Sequence, residues 1–249
     1  MAEFADNFLS IQAGLYGLSF LSAVKGVQLF HQTRNTFKNP KNLEENLENE
    51  LRAFILDKNE IHSIRIFHDN ELNTFVPSRF FDPQHPGLYL QYNIKLLETD
   101  AIAHDHLPFL NAVNVYLPFV NINNKLLDFF PSVEYFHMAS GFADYAFRNL
   151  NHNNKYNLFV QFSGALFRIL IFDEIKLIFS NSFFNRGGYD FLYYLFFVWE
   201  QWQLIGRQTT VFLGGEHEAF EQAYQDLKDF TEQIELLPEM NHEILKSFR

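Results

Sequence analysis

The sequence of 249 residues contains no cysteine, which excludes disulfide bonds, thiolate metal ligands and a cysteine nucleophile. Basic residues are also scarce: 19 Lys and Arg stand against 30 Asp and Glu, and the formal net charge is −11. This balance argues against a nucleic-acid partner, because phosphate backbones are bound by clustered cations. Intrinsic disorder is excluded by 31 Phe and 11 Tyr, which supply far more apolar surface than disordered chains carry.

Long hydrophobic runs are missing as well. The most apolar stretch, residues 191–199, is interrupted by Glu200 and Gln201 before it could cross a bilayer. Residues 1–6 contain no basic segment, so we expect no secretory signal. The sequence therefore predicts a soluble, cytoplasmic protein without a membrane span.

The first part of the chain has the pattern of a three-stranded meander followed by a helix. Lys25-Gly26 is a two-residue hairpin signal between the second and third apolar runs. Leu43, Leu47 and Leu51 then recur at helical spacing, which predicts an amphipathic helix ending near Asp57. The three predicted strands cover residues 8–11, 18–24 and 27–30.

The middle of the chain predicts alternating strands and helices, and ends in a polar linker at 149–154 where we place the domain boundary. The predicted strands cover 61–67, 73–79, 101–106, 112–117 and 133–138. The predicted helices cover 87–97, 122–130 and 140–150.

Beyond the linker the opening pattern returns, with strands predicted at 158–161, 166–172 and 175–179 around a turn at Asp173-Glu174. With one residue fewer in the first turn, 18–30 aligns with 166–178, and Gln12 matches Gln161. A helix at 189–204, a strand at 211–215 and a helix at 218–230 complete the prediction.

Two successive βββα halves resemble the actin-like ATPase superfamily, whose members carry two ribonuclease-H-like subdomains around a nucleotide cleft. Phe75-Val76-Pro77-Ser78 resembles the strand that precedes an extra small subdomain in the pilus-assembly and cell-division branch. Residues 177–183, 190–194 and 213–216 are similar to a bacterial family of unknown function assigned this fold. The resemblance implies an α/β protein with a first subdomain over 1–150, containing a small α+β insert at about 72–108, and a second over 151–249.

The resemblance also implies where a nucleotide site would lie, at three glycine-containing turns. In the superfamily, the first two turns approach phosphate and carry the acids that hold hydrated Mg²⁺, and a Gly-Gly turn admits the adenosine. Here the acids are replaced by neutral glutamines, which cannot balance a divalent cation, and Glu216 would repel phosphate if it faced inward. The candidate nucleotide-binding residues of this degenerate site are Gln12, Gly14, Gln161, Ser163, Gly164, Gly214 and Gly215.

Plainer interpretations stay open for these turns and for two other motifs. The glutamines could be polar strand-end residues that bond nearby backbone, and Gly214-Gly215 a tight turn between strand and helix. His104-Asp105-His106 places two histidines on one face, but two ligands do not make a site, so we expect no metal. For 186–189 we favour a turn into the next helix over an anion site.

No catalytic residue is identified, because the sequence contains no nucleophile elbow, Walker loop or His-Glu-x-x-His motif. The favoured hypothesis is a non-catalytic actin-like-fold interaction or scaffold protein, without a bound cofactor, that associates with a protein partner or with itself. The aromatic residues, with Tyr193, Tyr194, Trp199 and Trp202 on one helix, exceed what one amphipathic stripe requires, so we expect most of them in the core and some at such an interface. The alternatives are a divergent ATPase or kinase that recruits Asp173 or Glu216, and a protein that binds ATP without turnover.

Overall fold

A computed structural model describes residues 7–54, 60–187, 189–204 and 209–248. The described residues fall into two compact units. The first unit lies within Met1–His106, Val113–Gly141 and Leu245–Ser247, and the second within Leu107–Ala112, Phe142–Ile244 and Phe248–Arg249. The division of the sequence at residue 150, with an insert at about 72–108, stays a prediction.

As far as residue 227, strands and helices follow one another in the order that the sequence pattern predicts. The strands are β1 (Phe8–Gly14), β2 (Gly17–Val24), β3 (Val27–Thr33), β4 (Ser63–Asp69), β5 (Asn73–Pro77), β6 (Ala103–Leu107), β7 (Ala112–Tyr116), β8 (Glu134–His137), β9 (Tyr156–Ser163), β10 (Leu166–Asp173), β11 (Lys176–Phe184), β12 (Thr209–Gly215) and β13 (Ile234–Leu237). The helices are α1 (Pro40–Phe54), α2 (Gly87–Leu90), α3 (Val120–Leu127), α4 (Met138–Arg148), α5 (Asp190–Gln201), α6 (His217–Leu227) and α7 (Met240–Ser247). Short 3-10 helices cover Ser78–Phe80 and Pro108–Leu110.

A five-stranded sheet of order β3-β2-β1-β4-β8 forms the centre of the first unit. β1, β2 and β3 are antiparallel, whereas β1, β4 and β8 are parallel. The sheet buries Ile11, Leu18 and Ile66 against the leucines of α1 and against Ile122 of α3. The amphipathic helix predicted from the spacing of these leucines is therefore confirmed, and its apolar face packs on the sheet.

The second unit contains a second sheet with the same arrangement, β11-β10-β9-β12-β13. β9, β10 and β11 are antiparallel, and β9, β12 and β13 are parallel. Phe191, Leu195 and Val198 of α5 and Phe220 of α6 pack on its core. The repeat predicted from the sequence pattern is therefore confirmed in the strand order of both sheets.

The register of the repeat differs from the predicted alignment by one residue. Gly14 pairs with Gly17 in the first hairpin and Ser163 pairs with Leu166 in the second, so both loops contain two residues. The predicted one-residue difference in the first turn is wrong, because the alignment matched apolar residues and overlooked Gly17 as the start of β2. The next loop begins at Lys25 and at Glu174, both in the left-handed region with φ of 51° and 53°.

A smaller sheet of order β5-β7-β6 packs its own core around Val76, Leu90, Val113 and Val115. The helix predicted over 87–97 is wrong beyond its first turn, since α2 ends at Leu90. Ile94 and Leu96 instead pack on this core from irregular backbone. The predicted end of α1 near Asp57 lies outside the described residues. Among the helices of the described residues, none is long and apolar enough to cross a membrane.

Candidate functional site

In the first unit, the first candidate turn is held by a carboxylate that the sequence did not indicate. The side chain of Gln12 is buried, and its Nε2 donates a hydrogen bond of 2.7 Å to Oδ2 of Asp69. Asp69 ends β4 and pairs with Gly14 across the parallel ladder. A Cβ on Gly14 would lie 2.7 Å from the backbone oxygen of Asp69, so this glycine is required by the close approach of β1 and β4.

Asp69 is therefore a site residue that sequence reasoning missed. The available signal was the run His68-Asp69-Asn70 at the end of an apolar strand. Polar residues at the carboxyl ends of parallel strands commonly form the binding crevice of α/β proteins.

A buried hydrogen-bond network lies beyond this strand end in the first unit. The carboxylate of Asp105 accepts hydrogen bonds from Oγ of Ser140 at 2.6 Å and from the backbone N–H of His137 at 2.9 Å. The hydroxyl of Tyr116 donates a third, at 3.3 Å. Burial nevertheless dominates and raises the pKa of Asp105 to about 6.

Ser140, His137 and Asp105 are the residue types of a hydrolase triad, but their hydrogen bonds exclude that role. Ser140 donates to Asp105 and not to an imidazole. Nδ1 of His137 accepts from the backbone N–H of Ala139 at 3.2 Å, so its proton is on Nε2, which donates to Oδ1 of Asn70 at 3.2 Å. With both ring nitrogens engaged, His137 has no lone pair for a serine proton.

His68 is the most strongly perturbed histidine of the described residues. Its ring is fully buried, lies against the rings of Tyr116 and Phe119, and accepts a hydrogen bond from the backbone N–H of Phe119 at 3.2 Å. Burial lowers its pKa to about 3, although the nearby Asn123 side chain opposes the shift. A neutral imidazole in this position packs the strand end and does not carry charge.

In the second unit, Gln161 is tied to side chains of two other elements. Its Nε2 donates to Oδ1 of Asn241 in α7 at 2.8 Å, and its Oε1 accepts from the guanidinium of Arg168 in β10 at 3.4 Å. Asn241 in turn donates to the backbone oxygen of Phe162 at 3.3 Å. These partners are side chains, whereas the plainer sequence interpretation assigned nearby backbone to the glutamine.

The β9–β10 turn already holds an anionic group of the same chain. The backbone N–H of Gly164, a residue with φ of 58°, donates a 2.7 Å hydrogen bond to Oε1 of Glu216. The backbone N–H of Glu216 donates to the carbonyl oxygen of Phe162 at 3.1 Å, which fixes the start of α6 beside the turn. Ser163 is buried at the end of β9.

Close backbone packing accounts for both glycines of the Gly-Gly turn. A Cβ on Gly214 would lie 2.5 Å from the backbone oxygen of Leu237 and 2.6 Å from the Met240 side chain. A Cβ on Gly215, whose φ is 108°, would lie 2.2 Å from the carbonyl oxygen of Phe162. Only glycine fits either position.

The structure brings the second-unit candidates together and separates one proposed acid from them. Gly214 pairs with Gln161 across the β9–β12 ladder. Asp173, an acid that an ATPase was expected to recruit, lies at the end of β10 remote from Gly164, about 23 Å along the strand. Glu216 is the acid that reaches this turn.

The two other sequence motifs have simpler environments. The backbone N–H of Arg186 donates to Oδ2 of Asp190 at 3.0 Å, which fits a turn into α5 rather than an anion site; Gly188 lies outside the described residues. His104 and His106 lie side by side on β6. Within the described part of the chain, no group of three or more His, Cys, Asp or Glu could hold a metal ion.

Solved structures confirm the fold that the sequence resemblance implied. A Bacteroides thetaiotaomicron VPI-5482 protein with an actin-like ATPase fold and unknown function matches with a TM-score of 0.83 and 18% identity over 100% of both chains. A chain of the PilM–PilN type IV pilus biogenesis complex matches with a TM-score of 0.58 and 10% identity, over 92% of this chain and 88% of that one. The ethanolamine utilization protein EutJ from Carboxydothermus hydrogenoformans matches with a TM-score of 0.53 and 7% identity, over 98% and 89%.

The chain thus has an α/β actin-like ATPase fold. No curated protein matches the sequence. The profile of one family, described as proteins of unknown function (DUF3822), matches residues 2–234, which is most of the chain. The protein therefore belongs to the DUF3822 family.

Proposed function

We propose that this protein is a non-catalytic, actin-like-fold interaction or scaffold protein of the bacterial cytoplasm whose nucleotide site is degenerate. It binds a protein partner or a second copy of itself, and it does not hold Mg-ATP. The observation that carries the proposal is the Glu216 carboxylate on the backbone N–H of Gly164, at 2.7 Å.

A carboxylate in this place opposes phosphate binding in two ways. It uses the amide hydrogen that a phosphate oxygen would accept, and it adds a negative charge at the turn. Two like charges about 4 Å apart near a protein surface repel by about 4 kcal/mol, so a phosphate would have to displace Glu216 first.

The glutamines support the same proposal from the side of the metal. Gln12 and Gln161 are neutral, and each already holds a hydrogen-bond partner of the same chain, Asp69 and Asn241. A hydrated Mg²⁺ is bound through carboxylates and phosphate oxygens, and an amide contributes no charge toward it.

Exposed aromatic residues support the interaction role. Tyr189, Tyr193 and Phe197 are 81%, 65% and 51% exposed and lie along the start and outer face of α5. Large exposed aromatic side chains are typical of protein interfaces. The similarity to a chain of the PilM–PilN complex, a protein–protein assembly, points in the same direction.

Thermal unfolding with and without nucleotide tests the proposal. We expect the melting temperature to be the same without ligand, with ATP and EDTA, and with Mg-ATP, because no site is open. A bound ligand at 100 times its Kd would add about 2.7 kcal/mol of stability, which such a measurement resolves. Stabilisation by Mg-ATP that is lost in Gly164→Trp would contradict the proposal, and stabilisation by ATP regardless of magnesium would show binding without turnover.

Asp69 is the observation that favours the alternative, a divergent ATP-binding protein, ATPase or kinase. Its carboxylate lies at the end of β4 beside Gly14 and Gln12, where a recruited acid could act on a cation. Phosphate release from ATP by the purified protein, abolished in Asp69→Asn and retained in Asp173→Asn, would establish this alternative and refute the proposal above.

A further inference from the structure

Two imidazole rings lie next to each other on the outer strand of the small sheet. His104 and His106 are two residues apart on β6, so both project from the same face of the strand. Their ring centroids are 5.1 Å apart, with an interplanar angle of 84°. His104 is partly buried and His106 is exposed. β6 is an edge strand of the small sheet.

Phe81 supports both rings. Its ring centroid lies 4.9 Å from that of His104 and 6.0 Å from that of His106. Both imidazoles therefore pack against the same aromatic ring.

The ring nitrogens of the pair are available as ligands. Neither ring makes a hydrogen bond to any other residue that the structure describes. Imidazole nitrogen is the commonest metal-binding group of protein side chains.

The spacing of the rings matches that of two imidazoles on one tetrahedral ion. A Zn–N bond is about 2.05 Å long and the ring centroid lies about 1.15 Å further on, so two ligands at a tetrahedral angle have centroids about 5.2 Å apart. The separation of His104 and His106 is 5.1 Å. The separation of the two rings is therefore compatible with one shared ion.

Although the sequence alone led us to expect no metal at a pair of ligands, we propose that His104 and His106 together bind one divalent transition-metal ion of the Zn²⁺ or Cu²⁺ type, with water at the remaining positions. Imidazole nitrogen suits these ions, whereas Mg²⁺ and Ca²⁺ prefer oxygen ligands. The proposal is independent of the function proposed above, because it uses neither the glycine turns nor α5.

Calorimetric titration of the EDTA-treated full chain with ZnCl₂ tests the site. We expect one Zn²⁺ per chain, and weakening of at least about tenfold in each of His104→Gln and His106→Gln, because each removes one of two ligands. His152→Gln is the matched control, since His152 is exposed on a turn of the second unit, and it should bind as the wild type does. MgCl₂ should give no heat.

Absence of Zn²⁺ binding to the wild type would overturn the proposal. Equal binding by the wild type and both variants would also overturn it, as would weakening by His152→Gln to the same extent. The NMR signals of the two imidazoles provide a second measurement on the unmodified chain, and both should shift together as Zn²⁺ is added. A shift in other histidines alone would refute the site.

Discussion

His68 and Asp105 should make the stability of the first unit depend on pH with opposite signs. Burial lowers the pKa of His68 to about 3 from an ordinary 6.5. Between these values the unfolded chain binds the proton and the folded chain does not, so stability rises with pH. At about pH 5 this contributes a slope of about +1.3 kcal/mol per pH unit.

Asp105 has the reverse behaviour. Burial raises its pKa to about 6 from an ordinary 3.8, so between these values the folded chain holds the proton and stability falls as pH rises. The corresponding slope at about pH 5 is about −1.2 kcal/mol per pH unit. The two contributions nearly cancel in the wild type, and each variant should reveal the other group.

Urea unfolding followed by far-UV circular dichroism, from about pH 4.5 to about pH 6, measures these slopes. His68→Gln should lower the slope of the unfolding free energy relative to the wild type, and Asp105→Asn should raise it. Both tryptophans, Trp199 and Trp202, are in the second unit, so their fluorescence reports separately on that unit. Slopes parallel to the wild type in both variants would refute the assignment of these pKa shifts to burial.

Three further substitutions have expected outcomes that thermal or urea unfolding can check. Gly215→Ala should lower the free energy of unfolding by about 3 kcal/mol or more, since its Cβ would lie 2.2 Å from a backbone oxygen at a φ of 108°. Gly26→Ala is the control and should cost only about 1–2 kcal/mol, because its φ is 76° but no atom lies within 4 Å of the added Cβ. Equal losses in the two variants would contradict the packing argument. Gln12→Glu should lower the free energy of unfolding by about 3 kcal/mol above neutral pH, because it places a second buried carboxylate beside that of Asp69. Gln161→Glu should cost less, because the new carboxylate lies beside Arg168. A larger loss in Gln161→Glu than in Gln12→Glu would refute this reasoning. Glu216→Ala should destabilise the second unit by about 1.5 kcal/mol, and no loss would show that its bond to Gly164 contributes nothing.

Most of the fold could be predicted because its signals are local. The hairpin dipeptide at Lys25-Gly26 and the leucine spacing of α1 act within a few residues, and both elements form where the pattern places them. β13 and α7 were not predicted, because four glutamates interrupt residues 232–243 and obscure the apolar spacing of Met240 and Ile244, which are fully buried.

The contacts of the candidate site could not be predicted from local signals. Gln12 and Asp69 are 57 residues apart, Gln161 and Asn241 are 80 apart, and Gly164 and Glu216 are 52 apart. Such partners are set by which strands become neighbours in the sheet. The residue types at the turns were visible in the sequence, whereas the groups that occupy their hydrogen bonds were not.

The two glutamines have equivalent positions in the repeat but different chemical reasons to be neutral. At position 12 an acid would face Asp69 across 2.7 Å, and only a donor is tolerated there. At position 161 the side chain must donate to Asn241 and accept from Arg168 at the same time, which a carboxylate cannot do without protonation. An amide satisfies both environments. The glutamines are thus fixed by contacts within their own units, and this supports the proposal that neither position is kept for a metal ion.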